Sequence, residues 1–352
     1  MNKTFWNGKK VLITGHTGFK GAWLSLVLKK LGSKLIGYSL PPEHELCLYN
    51  ICNLKSIFSA ESLNNILEAK KLSNFITEQR PDLVFHLAAQ PLVRKSYVYP
   101  AETFAINLMG TINLFETIRA NKKTVPIINI TSDKCYENLE LGKIFKEEDK
   151  LGGNDPYSAS KACAEIISNS YGKSFAKTNF FINTVRAGNV IGGGDFADDR
   201  IIPDCVKAIS KEAKLEVRNK SAIRPWQHVL EPIMGYILVC ERLANQTTPN
   251  FESWNFGPDV NSVKTVENIL DFLTKRYQGF CWSECPLENK LEEAMLLSID
   301  TQKAQKKLGW RSIWSFEKTL KETFDWYDAL NSGRDMLEFT ENQIERFISN
   351  GK

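Results

Sequence analysis

Residues 11–40 read VLITGHTGFKGAWLSLVLKKLGSKLIGYSL. A strand-length apolar run, VLIT, meets Gly15, Gly18 and Gly21 at three-residue spacing, then a helix-like segment from about Ala22, then a second short apolar run. Strand, glycine turn, helix and strand make one βαβ unit. Glycines at its first turn let the backbone bend tightly and approach a pyrophosphate, which then rests on the unpaired N–H groups of the helix start. Position gives the triplet its weight, because the same three glycines elsewhere would read as a plain turn. An acidic residue about 20 positions on would favour NAD and a basic one NADP. Ser39 at the end of the second run has neither charge, so these residues leave that choice open.

Outward from this unit the same rhythm continues. DLVFHLAA, the helical AETFAINLMGTINLFETIRAN, PIINIT, the helical YSASKACAEIISNSYG and NFFINTVRAGN alternate strand and helix. That pattern predicts an α/β fold with a Rossmann-type, doubly wound parallel sheet. After Asn189 the rhythm breaks into the Gly/Asp-rich GGGDFADDRIIPD, and from Thr265 amphipathic helices dominate. Residues 1–188 are therefore expected to form the dinucleotide-binding domain and 189–352 mainly a smaller, mixed α/β substrate domain. Short strands such as KLEVR and SWNFG are candidates for returning the chain to the main sheet.

Composition limits the partners. With 45 basic and 41 acidic residues the net charge is +4, too near balance to suggest nucleic acid. No stretch of about 18 apolar residues predicts a membrane span. The opening MNKTFWNGKKVLITG lacks an apolar stretch ahead of its first strand, so no secretory signal is expected. A cytoplasmic, reducing setting follows, with the eight cysteines as free thiols. Only Cys281 and Cys285 lie close together, without a second pair at zinc-ligand spacing, and no metal site is expected.

Two clusters carry chemistry. Tyr157 and Lys161, in DPYSASKACAE, stand four apart on one face of a predicted helix. A free phenol has a pKa of about 10, and a neighbouring ammonium makes its phenolate accessible as a base. Such a pair can take a hydroxyl proton while a hydride leaves the same carbon. Ser132, Asp133 and Lys134 follow the strand PIINIT, at the strand end where open α/β sheets place their sites. Ser132 can bond a sugar hydroxyl. Asp133 and Lys134 exceed what alcohol oxidation needs. Loss of water from a ketone requires a base for the α-proton and an acid for the departing hydroxyl, and a lysine is a base only when neutral. A surface Tyr/Lys pair and a solvated turn are the plain alternatives.

The blocks GHTGFKG (15–21), HLAAQPLVRKSY (86–97), TSDKCYEN (131–138), PYSASK (156–161), RAGNVIGGGDFADDRIIPD (186–204) and RPWQHVLEP (224–232) closely resemble CDP-glucose 4,6-dehydratases, extended short-chain dehydrogenase/reductases, from the first strand to about residue 310. The related dTDP-glucose and GDP-mannose enzymes usually carry Glu where Lys134 lies. The resemblance implies NAD, reduced and reoxidised within one turnover. It assigns Tyr157 to the sugar 4-hydroxyl, Lys134 to the C5 proton and Asp133 to the C6 hydroxyl, giving a 4-keto-6-deoxy sugar nucleotide for deoxysugar and surface-polysaccharide synthesis. It also implies cofactor contacts from Gly15, Thr17, Gly18, Phe19, Lys20, Gly21, Asn65, Leu87, Ala88, Ala89 and Asn107, besides Tyr157 and Lys161. Arg94, Asn189, Arg200, Arg224, Trp226 and Gln227 are implied on the CDP-sugar, with Trp226 and Gln227 at the cytosine end or, alternatively, in the core.

Relatives usually have Asp against adenine where this chain has Asn64-Asn65, which loses the charge-assisted part of that bond. His86 is expected to support the backbone rather than react. Relatives form homodimers or homotetramers through helices like the one holding Tyr157; Ala162, Ile166 and Ile167 suit such a face or an internal core. Other readings of the residues are a dehydratase for another nucleotide sugar, an epimerase or reductase using Tyr157 and Lys161 alone, and a non-catalytic dinucleotide-binding protein.

Overall fold

The computed structural model describes residues 2–121, 124–139, 142–178, 180–246, 251–285 and 297–351. Its centre is a seven-stranded parallel sheet built from β1 (Lys10–Thr14), β2 (Lys34–Ser39), β3 (Phe58–Leu63), β4 (Leu83–His86), β5 (Ile127–Ile130), β6 (Ile182–Ala187) and β7 (Ser253–Phe256), in the order β7-β6-β5-β4-β1-β2-β3. Central strands such as LVFH and IINI are buried throughout, as strands covered by helices on both faces must be. The chain reverses direction across the sheet between β1 and β4, and the carboxyl ends of these strands open the crevice in which doubly wound sheets bind ligands.

Two apolar layers hold the sheet. One face carries Val11, Ile13, Phe85 and Ile128 against helices α1 (Phe19–Lys30), α3 (Leu230–Ala244), α4 (Phe316–Asn331) and α5 (Met336–Asn350). The other packs Leu12, Ile36, Val84 and Ile127 against Leu72, Leu114, Phe115 and Ile118, with Ile167 and Tyr171 of helix α2 (Pro156–Ser174) at its margin. The first turn of α2 is started by Asp155, whose carboxylate accepts from the Ser158 N–H at 2.9 Å, and by Pro156 at its first position.

Three features differ from the sequence pattern. SWNFG joins the sheet beside β6, but KLEVR does not: Leu215–Val217 pairs with Trp282–Glu284 in a separate two-stranded piece. The edge strand β3, FSAESL, has too mixed a composition to read as a strand. The helix through AETFAINLMGT is broken by one π-helical turn, Ala105–Met109, which rotates Asn107 into the interior. Among the described residues no helix is long and apolar enough to cross a membrane.

Candidate active site

The glycine turn is shaped by close backbone approach. Gly15 has φ +75°, and a Cβ there would lie 2.7 Å from the Ala88 nitrogen. At Gly21 a Cβ would lie 2.2 Å from the Gly15 carbonyl oxygen. A Cβ on Gly18 meets nothing nearer than 3.4 Å, and Gly18 caps α1 without a side-chain bond. The first N–H groups of α1, from Phe19 and Lys20 on, thus face a space that side chains leave clear, a cradle that could hold a dinucleotide pyrophosphate. Leu87 and Ala88 close its far wall: the Leu87 N–H bonds the Thr14 carbonyl at 3.0 Å and the Ala88 N–H bonds Thr14 Oγ1 at 3.3 Å. Ala89 follows them, half-buried. Thr17 Oγ1 donates to the Leu40 carbonyl at 2.9 Å and lies 2.8 Å from Ser39 Oγ, so the end of β2 presents hydroxyls rather than a charge.

Asn65 Oδ1 accepts from the Leu67 N–H at 2.9 Å, holding its turn at the rim of this crevice. His86 bridges Thr14 (2.7 Å) and Thr111 (3.0 Å), and burial with Lys161 nearby lowers its imidazole to about 3. It is a neutral, satisfied core residue. Asn107 is buried too: its amide accepts from the Gln90 N–H (2.9 Å) and donates to the Gln90 carbonyl (3.2 Å) and the Ser160 hydroxyl (2.8 Å). These bonds make Asn107 a support for α2.

Tyr157, Lys161, Ser132 and Asp133 converge at the ends of β4 and β5. The Tyr157 phenol lies beside Ser132, its backbone N–H is held by Ser96 Oγ at 3.1 Å, and Lys161 Nζ donates to the Ile130 carbonyl at 3.3 Å. Burial pushes the phenol up to about 12, Asp133 adding to it against Ser132 and Arg200. Burial and the Lys20 ammonium bring the Lys161 amine down to about 8, with Glu165 opposing. The phenol therefore does not have a lowered pKa in the free protein, as the Tyr/Lys pairing alone predicts. Asp133 is displaced upward, first by burial, although Lys134, Ser132 and Lys20 pull the other way. Its Oδ2 is buried with no hydrogen-bond partner and would lie 3.1 Å from a Cβ on Gly188. Lys134 is half-buried at the second position of the 3₁₀ turn Asp133–Cys135, its N–H held by Ser132 Oγ at 3.2 Å. Lys20 adds a third amine, brought down to about 8 by burial, with Asp133 holding it up against Arg200.

Cations gather on the facing loops. Arg94 and Arg218 both reach Asp199 Oδ1, at 3.1 and 3.2 Å, and Arg200 bonds Asp195 at 2.8 Å. The loop carrying Asp195, Asp199 and Arg200 is fixed from beneath: Trp23 Nε1 bonds the Gly193 carbonyl at 3.0 Å, Tyr327 bonds the Asp195 carbonyl at 2.7 Å, and a Cβ on Gly193 would collide with Trp326 at 2.0 Å. Asn189 and Arg224 are half-buried, the latter paired in register with Lys264. Trp226 and Gln227 do not join this face. They are 3 % and 1 % exposed, with Trp226 Nε1 on the Lys264 carbonyl and Gln227 Nε2 on the Phe256 carbonyl, both at 3.0 Å. Bulk and internal bonding put them in the core, the alternative kept open for Trp226. Arg218 and Glu165 escaped the sequence reading; Glu165, one turn beyond Lys161 in an otherwise small and apolar stretch, was the more detectable.

A helix start cleared by glycines at the switch point of a parallel sheet, with a tyrosine and lysine beside it, defines a protein of the short-chain dehydrogenase/reductase type. Solved structures share this fold: a dTDP-glucose 4,6-dehydratase variant from Streptomyces venezuelae with NAD bound (TM-score 0.79, 20 % identity, 93 % of this chain and 99 % of that one) and a UDP-glucuronic acid 4-epimerase from Bacillus cereus with NAD (TM-score 0.79, 23 % identity, 91 % and 99 %). Sequence narrows the class. The GDP-mannose 4,6 dehydratase family model matches residues 12–323. A CDP-glucose 4,6-dehydratase from Salmonella typhimurium is 42 % identical over 99 % of both chains, whereas a dTDP-glucose 4,6-dehydratase from Shigella flexneri is 24 % identical over 91 % of this chain and 93 % of its own. The chain belongs to the nucleotide-sugar 4,6-dehydratase family.

Proposed function

We propose that the protein is an NAD-dependent CDP-glucose 4,6-dehydratase, releasing water and CDP-4-dehydro-6-deoxy-D-glucose. The observation that carries this reading is that Ser132, beside Tyr157, is followed at once by Asp133 and Lys134, so groups suited to oxidation and groups suited to elimination share one turn. An epimerase would need only the first set. The full-length likeness to the Salmonella enzyme supports CDP-glucose as the substrate.

When bound in the glycine cradle, NAD supplies a hydride acceptor at the start of turnover and the same hydride at its end. Tyr157 takes the proton of the sugar 4-hydroxyl, with Ser132 bonding that oxygen and Lys161 supplying positive charge nearby. A ketone at C4 acidifies C5. Lys134 removes the C5 proton and returns a proton to C5 when C6 is reduced, and Asp133, whose buried carboxyl is displaced toward its protonated form, donates to the departing C6 hydroxyl. Arg94, Arg200 and Arg224, with Asn189, are the groups for the diphosphate and its nucleotide, guanidinium forks matching phosphate oxygens. Trp226 and Gln227 support this pocket from within.

Pairing of two copies through α2 is the proposed assembly, as homodimer or homotetramer. Ile166 on α2 and Met109 on the neighbouring helix are 55 % and 49 % exposed, while Ala162 and Ile167 pack inward. The proposed setting is the cytoplasm, where nucleotide sugars for surface polysaccharide are made.

Protein incubated with CDP-glucose and NAD should give the alkali-induced absorbance of a 4-keto-6-deoxy product with no net NADH. Accumulating NADH would indicate a simple dehydrogenase, and inversion at C4 an epimerase.

A further inference from the structure

Beneath the site lies a buried ion pair that the catalytic reading does not use. Glu165, one helical turn beyond Lys161 on α2, and Arg186, on β6 next to the edge strand β7, are 1 % and 2 % exposed and meet at 2.7 Å. Glu165 Oε1 is bonded by the hydroxyl of Thr131, the residue before Ser132. Its Oε2 accepts from Thr184 at 2.8 Å as well as from Arg186 Nη2. Arg186 Nη1 donates to the Tyr136 hydroxyl at 2.7 Å, and Tyr136 donates to Asn255 Oδ1 at 2.7 Å. The Tyr136 ring stacks on Phe145 at 4.9 Å and lies 4.8 Å below the guanidinium. Thr131 and Tyr136 bracket the segment Ser132–Cys135, so both ends of the turn carrying Ser132, Asp133 and Lys134 are pinned to one ion pair, and that pair is rooted in the helix carrying Tyr157 and Lys161.

A buried ion pair is a poor stabiliser, since desolvation offsets much of its attraction and apolar residues of equal volume hold a core as well. Its directional bonds do fix geometry. We propose that Glu165 and Arg186, acting through Thr131 and Tyr136, are positioning residues that set the elimination turn against the oxidation helix, so that a sugar oxidised at C4 presents C5 and C6 to Lys134 and Asp133 without moving. The inference rests on the proposed dehydratase reading.

Tyr136→Phe removes the bonds to Arg186 and Asn255 and keeps the stacked ring; Thr131→Val removes the bond to Glu165 at the other end. Each variant is expected to bind CDP as wild type does and to keep KM within about twofold, because the diphosphate groups are untouched. Dehydration should slow by about tenfold or more, the scale of a small misplacement of reacting groups. Oxidation should persist, so that enzyme-bound reduced nicotinamide accumulates on mixing with CDP-glucose and C5 exchange in D₂O falls relative to it. In the cofactor-free protein the amides of 133–136 should exchange faster, a change that needs no turnover. Wild-type partition between the two steps, or equal loss of both with a lowered melting temperature, would overturn the positioning role. Wild-type protein that makes no 4-keto product at all would instead sink the dehydratase reading.

Discussion

The amide of Asn107 donates a 2.8 Å hydrogen bond to the hydroxyl of Ser160, which in turn donates to the Tyr157 carbonyl at 2.7 Å. A π-helical turn in one helix thereby holds the first turn of another at the point where the proposed base sits. Removing this amide leaves the Gln90 N–H and carbonyl and the Ser160 hydroxyl buried with fewer partners. Asn107→Ala is expected to destabilise the protein by about 2 kcal/mol and to lower kcat more than it raises KM. Chemical denaturation and steady-state kinetics check both. An unchanged kcat would show that α2 is held without this bond.

The glycines of the cofactor loop should separate by cause. Gly21→Ala places a methyl 2.2 Å from the Gly15 carbonyl, so the loop itself must move, with loss of both stability and NAD binding. Gly18→Ala meets only a 3.4 Å contact. That variant should melt like wild type and still bind NAD more weakly, because its methyl enters the space kept for the pyrophosphate. Thermal melts with calorimetric titration of NAD distinguish the two; equal melting temperatures would contradict the steric account.

Burial and Lys20 lower the Lys161 amine from its ordinary 10.5 to about 8. Between those values the unfolded chain holds a proton that the folded chain lacks, so this group makes stability rise with pH from about 8 to about 10.5. Below about 8 both states are protonated and the full penalty of the buried ammonium applies, on the order of a few kcal/mol. Lys161→Met should therefore raise the melting temperature of the cofactor-free protein at pH 7, reduce the rise with pH to the part that Lys20, also lowered to about 8, contributes, and abolish turnover. Destabilisation at pH 7 would show that the Ile130 bond outweighs desolvation.

Asp199 joins Arg94 and Arg218. Its carboxylate competes for Arg94, one of the guanidinium groups that the proposed function gives to a diphosphate. Asp199→Asn is expected to tighten CDP binding several-fold at low salt, with the gain lost at high salt as exposed charges are screened. Weaker binding in that variant would mean that Asp199 orients the arginines instead.

The sheet was legible because buried parallel strands are continuous apolar runs and the glycine turn has a steric reason to exist: VLIT, the triplet and the alternation after it led directly to β1, β2 and β4–β6. What escaped depends on pairing that sequence does not encode locally. KLEVR and SWNFG have similar apolar content, but only the latter lies beside β6. Arg186 stands within an ordinary strand pattern, and nothing near it announces that its partners are 21 residues back on α2 and 50 residues back at Tyr136. Trp226 and Gln227 lie within a family block, yet resemblance does not say which members of a block face the ligand and which face the core. The depth of the Tyr157 phenol was equally hidden, since the effect of burial on its proton outweighs those of Ser132 and Arg200 and is visible only once the helices are packed.

The central claim is that one turn of chain and one turn of helix carry a hydride out of and back into the same sugar. CDP-glucose bearing deuterium at C4 tests it most directly, by NMR of the product. The account predicts a 4-keto-6-deoxy sugar with the label at C6 of the same molecule. Deuterium retained at C4 with inverted configuration, or released with free reduced cofactor, would contradict it.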